Sequence, residues 1–144
     1  MGVLIADKFR DWESQCEIRF QKVKANEERI NDILIQRYGL REEMSPEIND
    51  ADITVRRADL EREIKSLLSY AVGCMFGRYS LDYEGIAYAG GQWDDSKYIS
   101  FKPDTDNCIP VLDDAYFDDE IINRLCKWLS CVYGADVLEE NLKF

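Results

Sequence analysis

SYAVGCMFGRYS, residues 69–80, carries one charge, Arg78, in a chain whose composition is 33% charged, and it places two glycines, Gly73 and Gly77, four residues apart. A membrane span needs about twenty apolar residues, and charges flank this stretch too closely for that. A phosphate loop puts its glycines ahead of a helix and follows them with Lys-Ser or Lys-Thr; here the glycines come at the end of an apolar run. The pairing motif Gly-x-x-x-Gly belongs to apolar membrane helices, so it does not apply either. What remains is the buried part of a fold in water. Leu60, Ile64, Leu67, Leu68, Ala71, Cys74 and Met75 hold helical spacing toward Gly77, and Asp59, Glu61 and Glu63 suit the positive end of a helix dipole. A helix starting near Ala58 or Asp59 and apolar on every side at its end is buried on every side. Ala71, Val72, Cys74, Met75 and Phe76 are therefore expected inside. Gly73, which costs about 1 kcal/mol relative to alanine in a helix, is expected to face a close neighbour.

Before this central helix, Ile5, Phe9, Trp12, Cys16, Phe20, Val23, Ile30, Leu34 and Tyr38 recur mostly at three or four residues, which predicts one long amphipathic helix, or two if Asn26 breaks it. Gly39 stands where a left-handed cap ends such a helix. Residues 40–57 lose the period and contain Pro46; they read as a connection with Ile53-Thr54-Val55 extended. Residues 82–112 hold Gly85, Gly90-Gly91, Pro103 and Pro110 around two short apolar pieces, so an ordered loop and a small β-hairpin both fit. A third helix follows over 118–133, ended by Gly134, and a short one over 136–142. The fold class is mainly α: a helical bundle with one long N-terminal helix and a buried central helix, expected as a single helical domain over 1–144.

The chain lacks histidine, which removes Ser-His-Asp and Cys-His nucleophile systems. Its five cysteines form no C-x-x-C pair, so reduced thiols and a cytoplasmic setting are expected. No export signal or apolar span is visible, and a soluble chain is expected. A net charge of −11 opposes DNA, whose affinity for proteins rests on lysine and arginine contacts to phosphates. Arg56, Arg57 and Arg78 are the candidate phosphate contacts; ion pairing with the abundant acids is the simpler reading of them.

Two acidic constellations invite a metal. Asp113-Asp114 with Asp118-Asp119-Glu120 precedes the third helix, where carboxylates cap amides. Asp104-Thr105-Asp106 imitates a calcium loop, but Ile109 and Ala115 occupy the places of its glycine and its final glutamate. No catalytic, cofactor or metal residue is assigned. Asp82, with Asp95 and Lys97, has the spacing of a small magnesium-dependent nuclease, in which paired carboxylates hold the ion and a lysine helps activate water; this is the alternative enzyme reading. A free-standing interaction protein is a third.

Read together, KANEERINDILIQRYGL, DITVRRADLEREIKSLLSYAVGCMFGRYSLD, GIAYAGGQWDDSKYISFKPD and YFDDEIINRLCKWLSCVYGADVLEENLKF resemble a region of the PglX-type adenine-specific DNA methyltransferases of bacterial BREX phage-exclusion systems, over roughly residues 22–144. The resemblance implies a non-catalytic helical spacer outside the catalytic core, beside the portion that selects the DNA sequence. Its partners are then the other domains of a larger methyltransferase, with DNA reached only through that protein and no membrane. S-adenosylmethionine is the cofactor of the larger protein and not of this chain. The adenine-methylating motif Asn/Asp-Pro-Pro-Tyr is missing, since Pro46, Pro103 and Pro110 each stand alone. The chain is accordingly expected to be part of a much longer polypeptide.

Overall fold

In the computed structural model, which describes residues 2–112 and 117–144, the described residues form four α-helices, three short 3-10 turns and no strand. Helix α1 runs Ile5–Tyr38 without a break at Asn26. Gly39 ends it at φ +70°, with its own amide on the Gln36 carbonyl at 3.2 Å and the Leu40 amide on the Ile35 carbonyl at 3.0 Å. That pair of bonds is a Schellman cap, the arrangement glycine makes at least conformational cost.

The packing divides the chain into two units, one formed by Met1–Lys8 with Glu61–Phe144 and the other by Phe9–Leu60. In the second unit Cys16, Phe20, Ile35 and Ile53 are buried. After Gly39 the chain runs back antiparallel to α1. Asn31 donates to the Pro46 carbonyl at 3.3 Å, the Ile48 amide to Glu28 at 3.4 Å, Lys24 to Asp50 at 2.7 Å, and Arg57 to Glu17 at 2.7 Å. Partners advance along the return segment as they retreat along α1, so the expected connection is a packed return arm. Ile53 is extended and buried there, without a strand.

The apolar stripe predicted for α1 is buried at Cys16 and Phe20, but Ile30, Leu34 and Tyr38 point outward, Tyr38 being 73% exposed. Tyr38 lies 18 residues, five full turns, beyond Phe20 and so shares its side of the helix; it stands exposed as the last residue of α1, while Ile35 is buried.

In the first unit α2 spans Leu60–Met75, α3 spans Ile121–Tyr133 and α4 spans Leu138–Asn141. Their core joins Ile5, Ala71, Cys74, Met75, Phe101, Trp128 and Leu129. Each large side chain so buried contributes on the order of 1.5–3 kcal/mol. Ala71, Cys74 and Met75 are inside as expected, and Val72 is half-buried. Phe76 is 38% exposed, and Leu68 and Tyr70 also reach the surface. Leu68 and Tyr70 lie away from the face by which α2 packs, and Phe76, expected inside, stands in the turn just past the helix.

Residues 2–5 are laced to the C-terminal helices. The Val3 amide donates to the Tyr133 carbonyl at 2.7 Å, and buried Asn141 accepts from the Ile5 amide at 2.8 Å while donating to the Val3 carbonyl at 3.1 Å. Asn141 thus satisfies an orphan amide of the first turn of α1. α3 begins three residues later than the spacing predicts. Buried Glu120 stands at its N-cap position but accepts from the Phe117 amide at 2.9 Å instead of capping the first turn. Asp113, Asp114 and Ala115 lie outside the described residues.

Candidate functional site: a tyrosine-lined cavity beyond α2

Gly77, at φ +72°, ends α2 in a left-handed conformation and turns the chain back on itself. The Tyr79 amide then donates to the Gly73 carbonyl at 3.2 Å, which lays the Tyr79 ring over Gly73. A Cβ on Gly73 would sit 2.7 Å from Cε2 of that ring, and nearer still to Cδ2. The expectation of a close neighbour at Gly73 is met, and the neighbour is six residues away in the same chain. On its other side the ring stacks on Tyr70, 5.1 Å between centroids, and Tyr70 meets Trp128 edge-on at 6.0 Å. Burial pushes the Tyr70 phenol above its ordinary value, helped by nearby Cys74.

The following loop is fixed by side-chain-to-backbone bonds rather than a strand ladder, so of the two readings of 82–112 the ordered loop forms. Trp93 covers Gly77 and stacks on Tyr98 at 4.8 Å, nearly parallel, while the Tyr98 hydroxyl donates to the Gly77 carbonyl at 2.5 Å. Ser80 donates to the Lys97 carbonyl at 2.5 Å. Asp82 accepts the amides of Ile99 and Ser100, both at 2.8 Å, and the Ser100 hydroxyl. Those bonds, led by the Ser100 hydroxyl, hold the Asp82 carboxyl below the usual carboxylate range. The loop encloses an open cavity of about 580 Å³ lined by Tyr70, Tyr79 and residues 80–86.

A second cavity, about 460 Å³, is bordered by Lys102, Arg124 and Lys127 and by Asp118 and Asp119. Beneath it Arg124 pairs with buried Asp104, whose amide donates to the Met75 carbonyl at 2.7 Å; the Arg124 Nε is buried without a partner. Burial works to raise the Asp104 carboxyl, but hydrogen bonds from Asp106 and Cys108 and the Arg124 charge outweigh it, and the group is held low.

The residues of the nuclease reading sit in this loop. Asp82 anchors 99–100 as described, Asp95 accepts the Trp93 indole N–H at 2.9 Å, and Lys97 donates to the Ala87 carbonyl at 3.0 Å with its ammonium 4.4 Å from the Tyr83 ring centre. Among the described residues no group of three or more metal-ligating side chains converges. Of the candidate phosphate contacts, Arg57 pairs with Glu17 and Asp50 and lies 3.7 Å over the Phe20 ring, and Arg56 is exposed in the same unit. Arg78 belongs to the other unit, 5.8 Å over the Tyr79 ring. The cavity itself was not visible in the sequence. Its tyrosines, 70, 79 and 83, share no helical or strand period because the chain reverses between the first two; the only signal was the turn at Gly77 with so many tyrosines around it.

No protein-family model matches the chain. It is 49% identical over 138 residues, 94% of its length, to the adenine-specific methyltransferase PglX of Lacticaseibacillus casei (strain Zhang). It is 37% identical over 122 residues, 80% of its length, to the adenine-specific methyltransferase BrxX of Escherichia coli O9:H4 (strain HS). The first match takes in part of α1 ahead of residue 22, beyond the stretch over which the sequence resemblance was drawn. The chain spans only 12% of the first relative's length and 10% of the second's. At that identity, over nearly all of its residues, the chain belongs to the PglX-type family of adenine-specific methyltransferases, as a small part of their length.

Proposed function

We propose that this chain is a non-catalytic, mainly helical connecting module of an adenine-specific DNA methyltransferase of a BREX-like phage-defence system. It sets the distance and angle between the methyl-transferring core and the portion that selects the DNA sequence. The observation that carries the reading is the coverage: nearly all of this chain matches about an eighth of a much longer methyltransferase. The sequence adds that no Asn/Asp-Pro-Pro-Tyr motif lies within it. On this reading S-adenosylmethionine belongs to the rest of the protein, DNA is met through the rest of the protein, and the whole works in the cytoplasm. No helix is long and apolar enough to cross a membrane, among the described residues. The net charge of −11 supports a role that leaves phosphate contact to other domains.

The test is made in the whole methyltransferase. Replacing this module by a flexible linker should abolish adenine methylation of target DNA while S-adenosylmethionine still binds with its original affinity. Methylation at the original rate after replacement would refute the connecting role. So would saturable micromolar binding of the cofactor by the isolated chain, measured by calorimetry.

A further inference from the structure

One side of α1 is basic in a chain of net charge −11. At about 100° per residue, Arg19, Lys22, Arg29 and Arg37 fall within about 80° of one another around the helix and run along roughly 27 Å of it. Between Arg19 and Arg37 no acid falls in that arc. Glu17, Lys24, Glu28 and Asn31, whose side chains hold the return arm, lie on the far side. All four cations of the arc are exposed, and Lys22, Arg29 and Arg37 pair with no described residue. Arg19 reaches the Gln15 side chain at 3.5 Å and lies 5.2 Å from the Trp12 ring centre.

Isoleucines share this side. Ile33 lies within the arc and Ile18 and Ile30 at its two borders, and they are 55%, 66% and 56% exposed. Apolar side chains grouped on a surface mark a place where another surface settles. The mixture sorts the occupants. DNA phosphates would satisfy the cations, leave the isoleucines against a hydrated backbone, and meet a chain of net charge −11. A second copy using the same face would set cation against cation. A helix with an apolar stripe and acidic flanks satisfies both kinds of side chain.

We propose that this face of α1 docks an acidic amphipathic helix from elsewhere in the same longer polypeptide. The isoleucines cover the apolar stripe of that helix, and the cations pair with its flanking acids and fix its register. The proposal rests on the reading of the chain as a module of a longer methyltransferase, of whose relative it spans 12%. Tethering within one polypeptide raises the effective concentration of the docked helix, so a face of this size suffices.

Calorimetric titration of the full chain tests the face with a peptide of roughly 18 residues, long enough to span it, that carries leucine along one helical stripe and glutamate on the flanks. This peptide should bind, and versions with lysine for glutamate or serine for leucine should not. Lys22→Glu and Arg29→Glu should each weaken binding about tenfold, whereas Lys143→Glu, the same charge change in the first unit, should leave it within twofold; all three side chains are exposed, so each variant should fold. Equal weakening by Lys143→Glu, or binding of the lysine peptide, would overturn the site. So would tighter binding of double-stranded DNA or of phosphatidylglycerol vesicles that Lys22→Glu abolishes, which would assign the face to phosphates. In the whole methyltransferase, carbodiimide should couple Lys22 to an acid outside these 144 residues. Acetylation of Lys22 there as fast as in the isolated chain would refute the docking and leave standing the connecting role, which the linker replacement tests separately.

Discussion

Gly73→Ala reads the packing of the Tyr79 ring by the sign of its effect. At an exposed helical position the substitution stabilises, by up to about 1 kcal/mol. Here the new methyl would meet the Tyr79 ring, at 2.7 Å from Cε2. The ring has no free direction of retreat, because Tyr70 stacks on it and its own amide is bonded to the Gly73 carbonyl. Overpacking of this kind costs about 1–3 kcal/mol, and a ring that swings out instead forfeits a stacking contact of about 0.5–1.5 kcal/mol together with its burial. Set against the full helix gain, the net is a loss of up to about 2 kcal/mol, or a transition lowered by up to roughly 8 °C for a chain of this size. Differential scanning calorimetry, with the near-ultraviolet circular dichroism of the tyrosines alongside, measures both the stability and the ring's setting. The control is the same substitution in a Tyr79→Ala background, where the clash is gone and Gly73→Ala should stabilise. A Gly73→Ala protein that is more stable in the presence of Tyr79 would refute the clamp, and with it the preformed wall of the cavity.

Two further outcomes are expected. Asp82 has its folded pKa depressed, chiefly by the Ser100 hydroxyl, so its contribution to stability is complete above the ordinary carboxylate range and is lost as pH falls through the lower folded value; Asp82→Asn should therefore flatten the acid limb of a stability profile measured below about pH 4. Thiol labelling of the native chain should modify exposed Cys108 and Cys131 quickly and leave Cys16 and Cys74 untouched until denaturant is added, since both are buried and burial also pushes the Cys74 thiol up; rapid native labelling of Cys74 would place residues 69–80 at the surface.

The helices were legible because each carries a local signal. Gly39 and Gly134 mark ends that spacing alone would blur, and the absence of proline between Ile5 and Tyr38 licenses one helix through Asn26. The family was legible as well, in strings such as DITVRRADLEREIKSLLSYAVGCMFGRYSLD. What was not legible depends on partners far apart in the chain. Arg57 finds Glu17 across 40 residues, and nothing local marks 44–57 as a packed arm rather than a loose connection. Phe76 looks like core in an uncharged run, yet stands in the turn just past the end of α2 and reaches the surface. The cavity needs both the reversal at Gly77 and the stack of Tyr79 on Tyr70, which no periodicity announces. Asp82, Asp95 and Lys97 have metal-like spacing in one dimension, whereas in three each holds a loop bond that short-range pattern reading does not supply.

The lacing of residues 2–5 onto Tyr133 and Asn141 has a consequence for the order in which this polypeptide acquires its structure. The second unit closes on contacts reachable once Leu60 has been made, and a chain leaving the ribosome can form it early. The first unit cannot: the Ile5 amide waits for Asn141, 136 residues later, and the core around Ile5 waits for Trp128 and Leu129. Through most of synthesis the apolar face of α2 is therefore uncovered, a slow, long-range closure of the kind that raises contact order and exposes nascent chains to misassociation. A stop codon or cleavage after Gly134 would keep Trp128 and Leu129 but remove Asn141, and with it the bonds that tie the Val3 carbonyl and the Ile5 amide to the C-terminal helices.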